Sequence, residues 1–112
     1  MFVVEGVSLT GFLEAACRAI DSLPDVLERK GAGRPRFDSR SRMVAVLVKA
    51  WLKRSYRDVE VYLQDNRETL ARFNLKVPDH NTIWRTMTFL PEAYLKELNL
   101  EVGRLLKRGR NG

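Results

Sequence analysis

The sequence predicts an all-α fold, a compact bundle of five to six helices. Its 112 residues are the size of one domain, and 45% hydrophobic with 30% charged residues is the composition of a globular chain. Apolar residues recur three and four positions apart through most of the chain, which is the period of an amphipathic helix. Hardly any stretch alternates with the period of two that a half-buried strand requires. These observations favour a helical bundle over a β-rich or disordered chain.

Ser8 or Thr10 can cap the first predicted helix, because both side chains accept hydrogen bonds from the N–H groups of a first turn. The apolar stripe of this helix extends from Leu9 to Leu23. Pro24 then breaks the helical pattern.

Two glycines and a proline within residues 31–37 predict a linker or an extended arm rather than a helix. The strongest helix of the chain follows, capped by Asp38 or Ser39 and extending to about Arg54. It is apolar around most of its circumference, so we expect it at the centre of the bundle. Its remaining face carries Arg42, Lys49 and Lys53.

Residues 55–58, Ser-Tyr-Arg-Asp, have the form of a capping box and predict a helix that ends near Asn66. A shorter helical turn follows, with Leu70 and Phe73 as its apolar contacts. Residues 74–77 are expected to form a loop.

Pro78 to Thr82 is the next start signal, in which Asp79 or Asn81 can cap a helix that extends to about Phe89. Pro91 ends that helix, and a last helix follows it. We expect the basic end of the last helix to fray. The chain then divides into a helical segment at 1–30, the arm at 31–37, a helix-turn-helix-like core at 38–106 and a frayed basic tail at 107–112.

Composition argues against several classes of protein. The single cysteine, Cys17, excludes an internal disulfide and a multi-cysteine zinc site, and the chain has one histidine. No apolar run approaches the ~20 residues of a membrane span, and no signal-peptide pattern opens the chain. No glycine-rich phosphate loop or activated nucleophile is evident. We therefore expect a cytoplasmic protein without catalytic residues, metal or cofactor.

Positive charge is concentrated in one block of the sequence. Residues 28–57 carry ten bases and two acids, a net charge of +8, whereas residues 1–27 carry −3 and residues 58–112 carry +1. A second short cluster follows Gly103. Such a block attracts a polyanion such as nucleic acid through Coulomb attraction and counterion release. The alternative is a solvated surface that keeps the protein soluble.

Two of the predicted helices have the properties of a helix-turn-helix pair, in which one helix enters the major groove of DNA and another supports it. Residues 56–65 would support and residues 80–89 would contact bases. The connection between them is longer than the usual turn, and an amphipathic helix facing water is the alternative. The residues expected to face bases or nearby phosphates are His80, Asn81, Thr82, Arg85 and Thr88.

Arginines in the arm would enter a minor groove, although a plain flexible linker explains the segment equally well. Trp84 would either close the edge of the core or lie against the sugar-phosphate backbone. The arm residues are Arg34 and Arg36, and the residues expected to hold phosphates are Arg40, Arg42, Lys53, Arg54 and Arg57.

Three motifs and a long apolar helix after the first of them, in this order and spacing, give the chain a family resemblance. The motifs are Gly-Arg-Pro at 33–35 with Asp38, Ser-Tyr-Arg-Asp-Val-Glu at 55–60, and Val-Pro-Asp-His-Asn-Thr-Ile-Trp-Arg at 77–85, and the apolar stretch is 43–52. Over residues 33–90 the sequence resembles the N-terminal domain of prokaryotic insertion-sequence transposases of the DDE type.

The resemblance implies a domain that binds the terminal inverted repeats of a mobile element during DNA transposition, in contact with the nucleoid. It also implies that the RNase H-like catalytic domain is missing, so the chain alone would not cut or join DNA. The implied partners are double-stranded DNA, a second copy of the chain, or a separate catalytic transposase subunit. A helix-turn-helix transcriptional regulator and a helical oligomerisation or interaction module are the alternatives.

Overall fold

Six α-helices account for most of the chain that the computed structural model describes, which is residues 8–23 and 39–111. Within these residues no strand is present, and the predicted all-α bundle is confirmed. The helices are α1 (Leu9–Ser22), α2 (Ser39–Leu52), α3 (Tyr56–Asp65), α4 (Arg67–Ala71), α5 (His80–Phe89) and α6 (Glu92–Asn111).

Side-chain caps start three of the helices, as the sequence predicts. Ser8, Ser55 and Asp79 each accept a hydrogen bond from the backbone N–H three residues further along, at 3.0, 3.1 and 2.9 Å. Each bond satisfies one of the N–H groups that a first turn leaves without a helical partner. The cap by Ser55 therefore fixes where α3 begins.

Two residues in the left-handed region allow the chain to turn sharply after a helix. Lys53 has φ 54° and Asn74 has φ 62°. The N–H of Lys53 still donates to the carbonyl of Lys49 at 2.9 Å, so Lys53 closes the last turn of α2. Three residues, 53–55, then suffice to connect α2 to α3.

Helix α2 lies at the centre of the bundle, as its apolar circumference predicts. It packs against α1, α3 and α5, and α1 also packs against α6. Phe12 of α1 meets Trp51 of α2 edge-to-face, with ring centroids 5.0 Å apart. The indole N–H of Trp51 donates to Asn99 Oδ1 of α6 at 2.8 Å, which satisfies the polar atom of a buried aromatic side chain.

Helices α2, α3 and α5 pack against one another in pairs and form a three-helix unit. Val59 and Leu63 of α3 and Ile83 of α5 are fully buried in it. Thr86 is also buried, and its hydroxyl donates to the carbonyl of Thr82 at 2.8 Å. This bond explains how a polar side chain occupies the inner face of α5 without an unsatisfied donor.

The arm predicted at 31–37 and the cap predicted at Asp38 lie outside the described residues. Residues 1–7 and 24–30 of the predicted N-terminal helical segment also lie outside them. Helix α6 continues through Gly103 and past Leu106 to Asn111, where we expected a frayed tail. None of the helices in the described ranges combines the length and the apolar character needed to cross a membrane.

Candidate nucleic-acid interface

One face of α5 packs against the bundle and the other faces solvent. At 100° per residue, its exposed residues cover a continuous arc opposite the buried Ile83, Thr86 and Leu90. Polar side chains occupy the middle of this arc and two aromatic side chains lie at its two edges. The exposed set, which we call the outer face of α5, is Asn81, Trp84, Arg85, Thr88 and Phe89.

Asn81 and Arg85 lie one turn apart in the middle of the outer face. Within the part of the chain that the structure describes, neither side chain makes a hydrogen bond or an ion pair. Both therefore keep their full donor capacity for an outside partner, and Asn81 also keeps its acceptor.

His80 is held against α3 by Glu60. One carboxylate oxygen, Glu60 Oε1, lies 2.7 Å from His80 Nδ1 and accepts the backbone N–H of His80 at 2.9 Å. These two hydrogen bonds lower the pKa of the Glu60 carboxyl below its usual value. The sequence predicts that His80 faces bases or nearby phosphates, whereas its side chain contacts α3 through Glu60 and is 33% exposed.

The start of α5 is already occupied by two carboxylates of the protein. Glu60 accepts the N–H of His80, and Asp79 accepts the N–H of Thr82 at 2.9 Å, which lowers the pKa of Asp79. The N-terminus of α5 is therefore a poor site for a phosphate. Two of the three first-turn donors are used, and two negative charges there oppose an anion.

Thr82 of α5 is less exposed than Trp84 and Thr88. Thr82 is half-buried beside the core, so it lies at the margin of the outer face. The hydroxyl of Thr88 donates to the carbonyl of Trp84 at 2.8 Å. Trp84 itself is 53% exposed, so it does not close the edge of the core.

The predicted phosphate-binding residues fall into separate places. Arg40 points to α1, where its guanidinium donates to both carboxylate oxygens of Asp21, at 2.5 and 2.7 Å. Lys53, Arg54 and Arg57 are exposed together around the connection between α2 and α3. The two arm arginines, Arg34 and Arg36, lie outside the described residues.

Arg42 is half-buried on α2, and its Nε is a buried nitrogen with no hydrogen-bond partner. A buried donor left unpaired costs free energy, and an anion close to Arg42 would reduce that cost. Two turns further along α2, the ammonium of Lys49 lies 4.7 Å from the centroid of the Tyr56 ring. This cation–π contact joins α2 to the first turn of α3.

Glu60 is the residue that sequence reasoning missed. At 100° per residue, Glu60 lies about 160° from Asp58 and about 140° from Asp65 around α3, and nearer to the buried Leu63. Asp58 and Asp65 are exposed, whereas Glu60 meets the first residue of α5, twenty positions away. Helical spacing separates Glu60 from the other two acids, but it does not identify His80 as the partner. Among the described residues, no group of three or more His, Cys, Asp or Glu is placed to hold a metal ion.

Comparison of the chain with known protein families, with curated proteins and with solved structures found no match. The fold and the outer face of α5 define the chain as an all-α bundle with a three-helix unit that presents one polar helix face to solvent. The resemblance to insertion-sequence transposases stays a prediction that depends on the three motifs.

Proposed function

We propose that this chain binds double-stranded DNA sequence-specifically, with the outer face of α5 in the major groove and α3 supporting it. The observation that carries the proposal is the pair Asn81 and Arg85, exposed one turn apart and unpaired within the described residues. Asparagine and arginine are the side chains best suited to bidentate contacts with adenine and guanine. On the transposase resemblance, the bound sites are the terminal inverted repeats of a mobile element.

The packing of the three-helix unit supports the same proposal. A major-groove helix must be held rigidly by its neighbours if its side chains are to distinguish bases. Ile83 fixes the inner face of α5 in the core, and the two hydrogen bonds to Glu60 fix its first residue against α3. These contacts, on the inner face of α5 and at its first residue, hold the outer face in one orientation.

Charge near the connection of α2 and α3 supports a polyanionic partner. Lys53, Arg54 and Arg57 are exposed within five residues of one another. Each such cation that meets a phosphate releases condensed counterions, which makes binding favourable and salt-dependent. The proposed roles are phosphate contacts for these three residues and base contacts for the outer face of α5.

The test is selection of bound sequences from a random duplex pool, followed by fluorescence anisotropy with the selected and a scrambled duplex. Arg85→Ala should weaken binding to the selected duplex by ~1–3 kcal/mol and leave the scrambled duplex much less affected. Arg18→Ala is the matched control, because Arg18 is an exposed arginine on α1. Equal affinity of the wild type for both duplexes would refute sequence-specific binding.

The site of binding distinguishes the transposase interpretation from a transcriptional regulator with the same helix pair. A regulator binds an operator near its own gene, whereas a transposase domain binds the two ends of an element. Mapping the selected sequence onto the DNA around the gene separates the two.

A helical interaction module is the alternative from another class of protein. The large exposed hydrophobic side chains of the described residues are distributed over three helices: Val61, Trp84, Phe89 and Leu100. Light scattering with and without DNA decides, since a dimer that ignores DNA at low salt supports the interaction module.

A further inference from the structure

The geometry of α5 points to the kind of site that the proposed DNA binding would recognise. We infer that the outer face contacts three base pairs in order: an A·T pair through Asn81, a G·C pair about two steps away through Arg85, and an A·T pair about one step beyond through the methyl group of Thr88. This inference rests on the proposed function and specifies its target.

Three side chains in the middle of the outer face of α5 are placed to contact bases. His80 is held by Glu60, and Thr82 is half-buried. Trp84 and Phe89 are at the two edges of the exposed arc, where they would face the sugar-phosphate walls of a groove rather than its floor. Asn81, Arg85 and Thr88 remain in the middle.

The spacing of these three side chains along α5 can be compared with the spacing of base pairs in DNA. A helix rises 1.5 Å per residue, so Asn81 and Arg85 are separated by about 6 Å and Arg85 and Thr88 by about 4.5 Å along the axis. Successive bases of one DNA strand are about 3.4 Å apart. The separations therefore correspond to about two base-pair steps and then about one.

Asn81 and Arg85 carry hydrogen-bonding groups that match two different bases. The amide of Asn81 can accept and donate at once, which matches N6 and N7 of adenine, and the guanidinium of Arg85 offers two parallel donors to O6 and N7 of guanine. Asn81 and Thr88 are both short and lie near opposite ends of α5, so the whole length of the helix must lie along the floor of the groove if both are to reach base edges.

Thr88 contributes a different kind of contact. Its hydroxyl proton is committed to the carbonyl of Trp84 at 2.8 Å, so Thr88 has no hydrogen to donate to a base. Thr88 is exposed, so its methyl group is the group left to contact a base. The partner of an apolar group in the major groove is the C5-methyl group of thymine.

The experiment is selection from a random duplex pool with the wild type and with four variants, each checked for an unchanged melting curve. Asn81→Ala and Arg85→Ala should each lose preference at one position, with the two positions about two base pairs apart. The lost discrimination should be roughly 5- to 150-fold at each position.

Thr88 has a matched pair of variants. Thr88→Val keeps the methyl group and removes the hydroxyl, whereas Thr88→Ser keeps the hydroxyl and removes the methyl. Preference for thymine should survive in Thr88→Val and be lost in Thr88→Ser. The reverse pattern would show that the hydroxyl makes the contact and would overturn this part of the inference.

The outcomes separate the inference from the proposed function. A wild type that enriches a sequence, with variants that leave the preferences unchanged or alter all positions together, overturns the three-pair order while DNA binding stands. A wild type that enriches no sequence overturns both. Enrichment with losses at separated, variant-specific positions supports both.

Discussion

Lys53 occupies a left-handed backbone conformation, which glycine adopts more readily than other residues. Thermal stability and the salt dependence of DNA binding measure two separate effects of replacing it. At φ 54° the Cβ of an L-residue lies too close to the following carbonyl, which costs roughly 1–2 kcal/mol. Lys53 follows the last helical residue of α2, the position where helices most often place glycine.

The comparison that isolates the backbone contribution is Lys53→Gly against Lys53→Ala, since both remove the same charge and the same side-chain contacts. Glycine relieves the cost of the left-handed conformation but has about 0.4–1 kcal/mol more unfolded-state entropy to lose than alanine. Taking the middle of each range, about 1.5 and about 0.7 kcal/mol, the net advantage of Lys53→Gly is about 0.8 kcal/mol. With about 2.1 cal/mol/K of unfolding entropy per residue, this corresponds to a Tm about 2–4 °C higher.

DNA binding supplies the second readout. If Lys53 contacts a phosphate, both variants should lower the slope of log K against log salt by about 0.9, and Lys53→Arg should keep it. Thermal melting by circular dichroism and anisotropy titrations at several salt concentrations measure the two quantities separately. Equal Tm values for the two variants would refute the argument from backbone conformation, and an unchanged salt slope would refute the phosphate contact.

Three further predictions concern stability, measured by urea denaturation. Ser55→Ala removes the cap of α3 and should cost about 1 kcal/mol, whereas Ser55→Asp should retain most of the stability. Leu63→Ala leaves a cavity in the three-helix unit and should cost about 2–5 kcal/mol, against much less for the exposed Val61→Ala. Glu60→Gln should destabilise the fold at pH 7. Because the pKa of Glu60 is lowered in the folded state, its stabilising contribution is present above about pH 4.3, the ordinary pKa of Glu, and is lost as the pH falls below it. The difference between wild type and Glu60→Gln should therefore shrink in acid, and a difference independent of pH would contradict the role of the carboxylate charge.

Most of the fold follows from local signals in the sequence. The caps at Ser8, Ser55 and Asp79 start helices because a cap depends on residues three positions apart, which a reader of the sequence can see. Pro91 separates α5 from α6 for the same local reason. The central place of α2 follows from its apolar circumference.

The polar contacts between helices could not be predicted in this way. Glu60 and His80 meet because α3 and α5 pack together, and the sequence does not indicate which helix packs against the side of α3 that carries Glu60. Thr86 is a polar residue that the sequence does not assign to either face of α5, and its bond to the carbonyl of Thr82 lets it lie inside the bundle. In both cases tertiary packing decided the position of a side chain whose local pattern allows either face.

Negative charges and positive charges lie in different places on the proposed DNA-binding surface. The first turn of α5 is flanked by Glu60 and Asp79, so the end of the helix offers little attraction to DNA. In the proposed binding, the exposed cations after α2, Lys53, Arg54 and Arg57, supply attraction to phosphates. Salt screening acts on these exposed charges, whereas the proposed hydrogen bonds from Asn81 and Arg85 to base edges depend on contact. Raising the salt concentration should thus weaken binding to all duplexes while leaving the ratio of selected to scrambled affinity largely unchanged, because the proposed phosphate contacts and base contacts come from different parts of the chain.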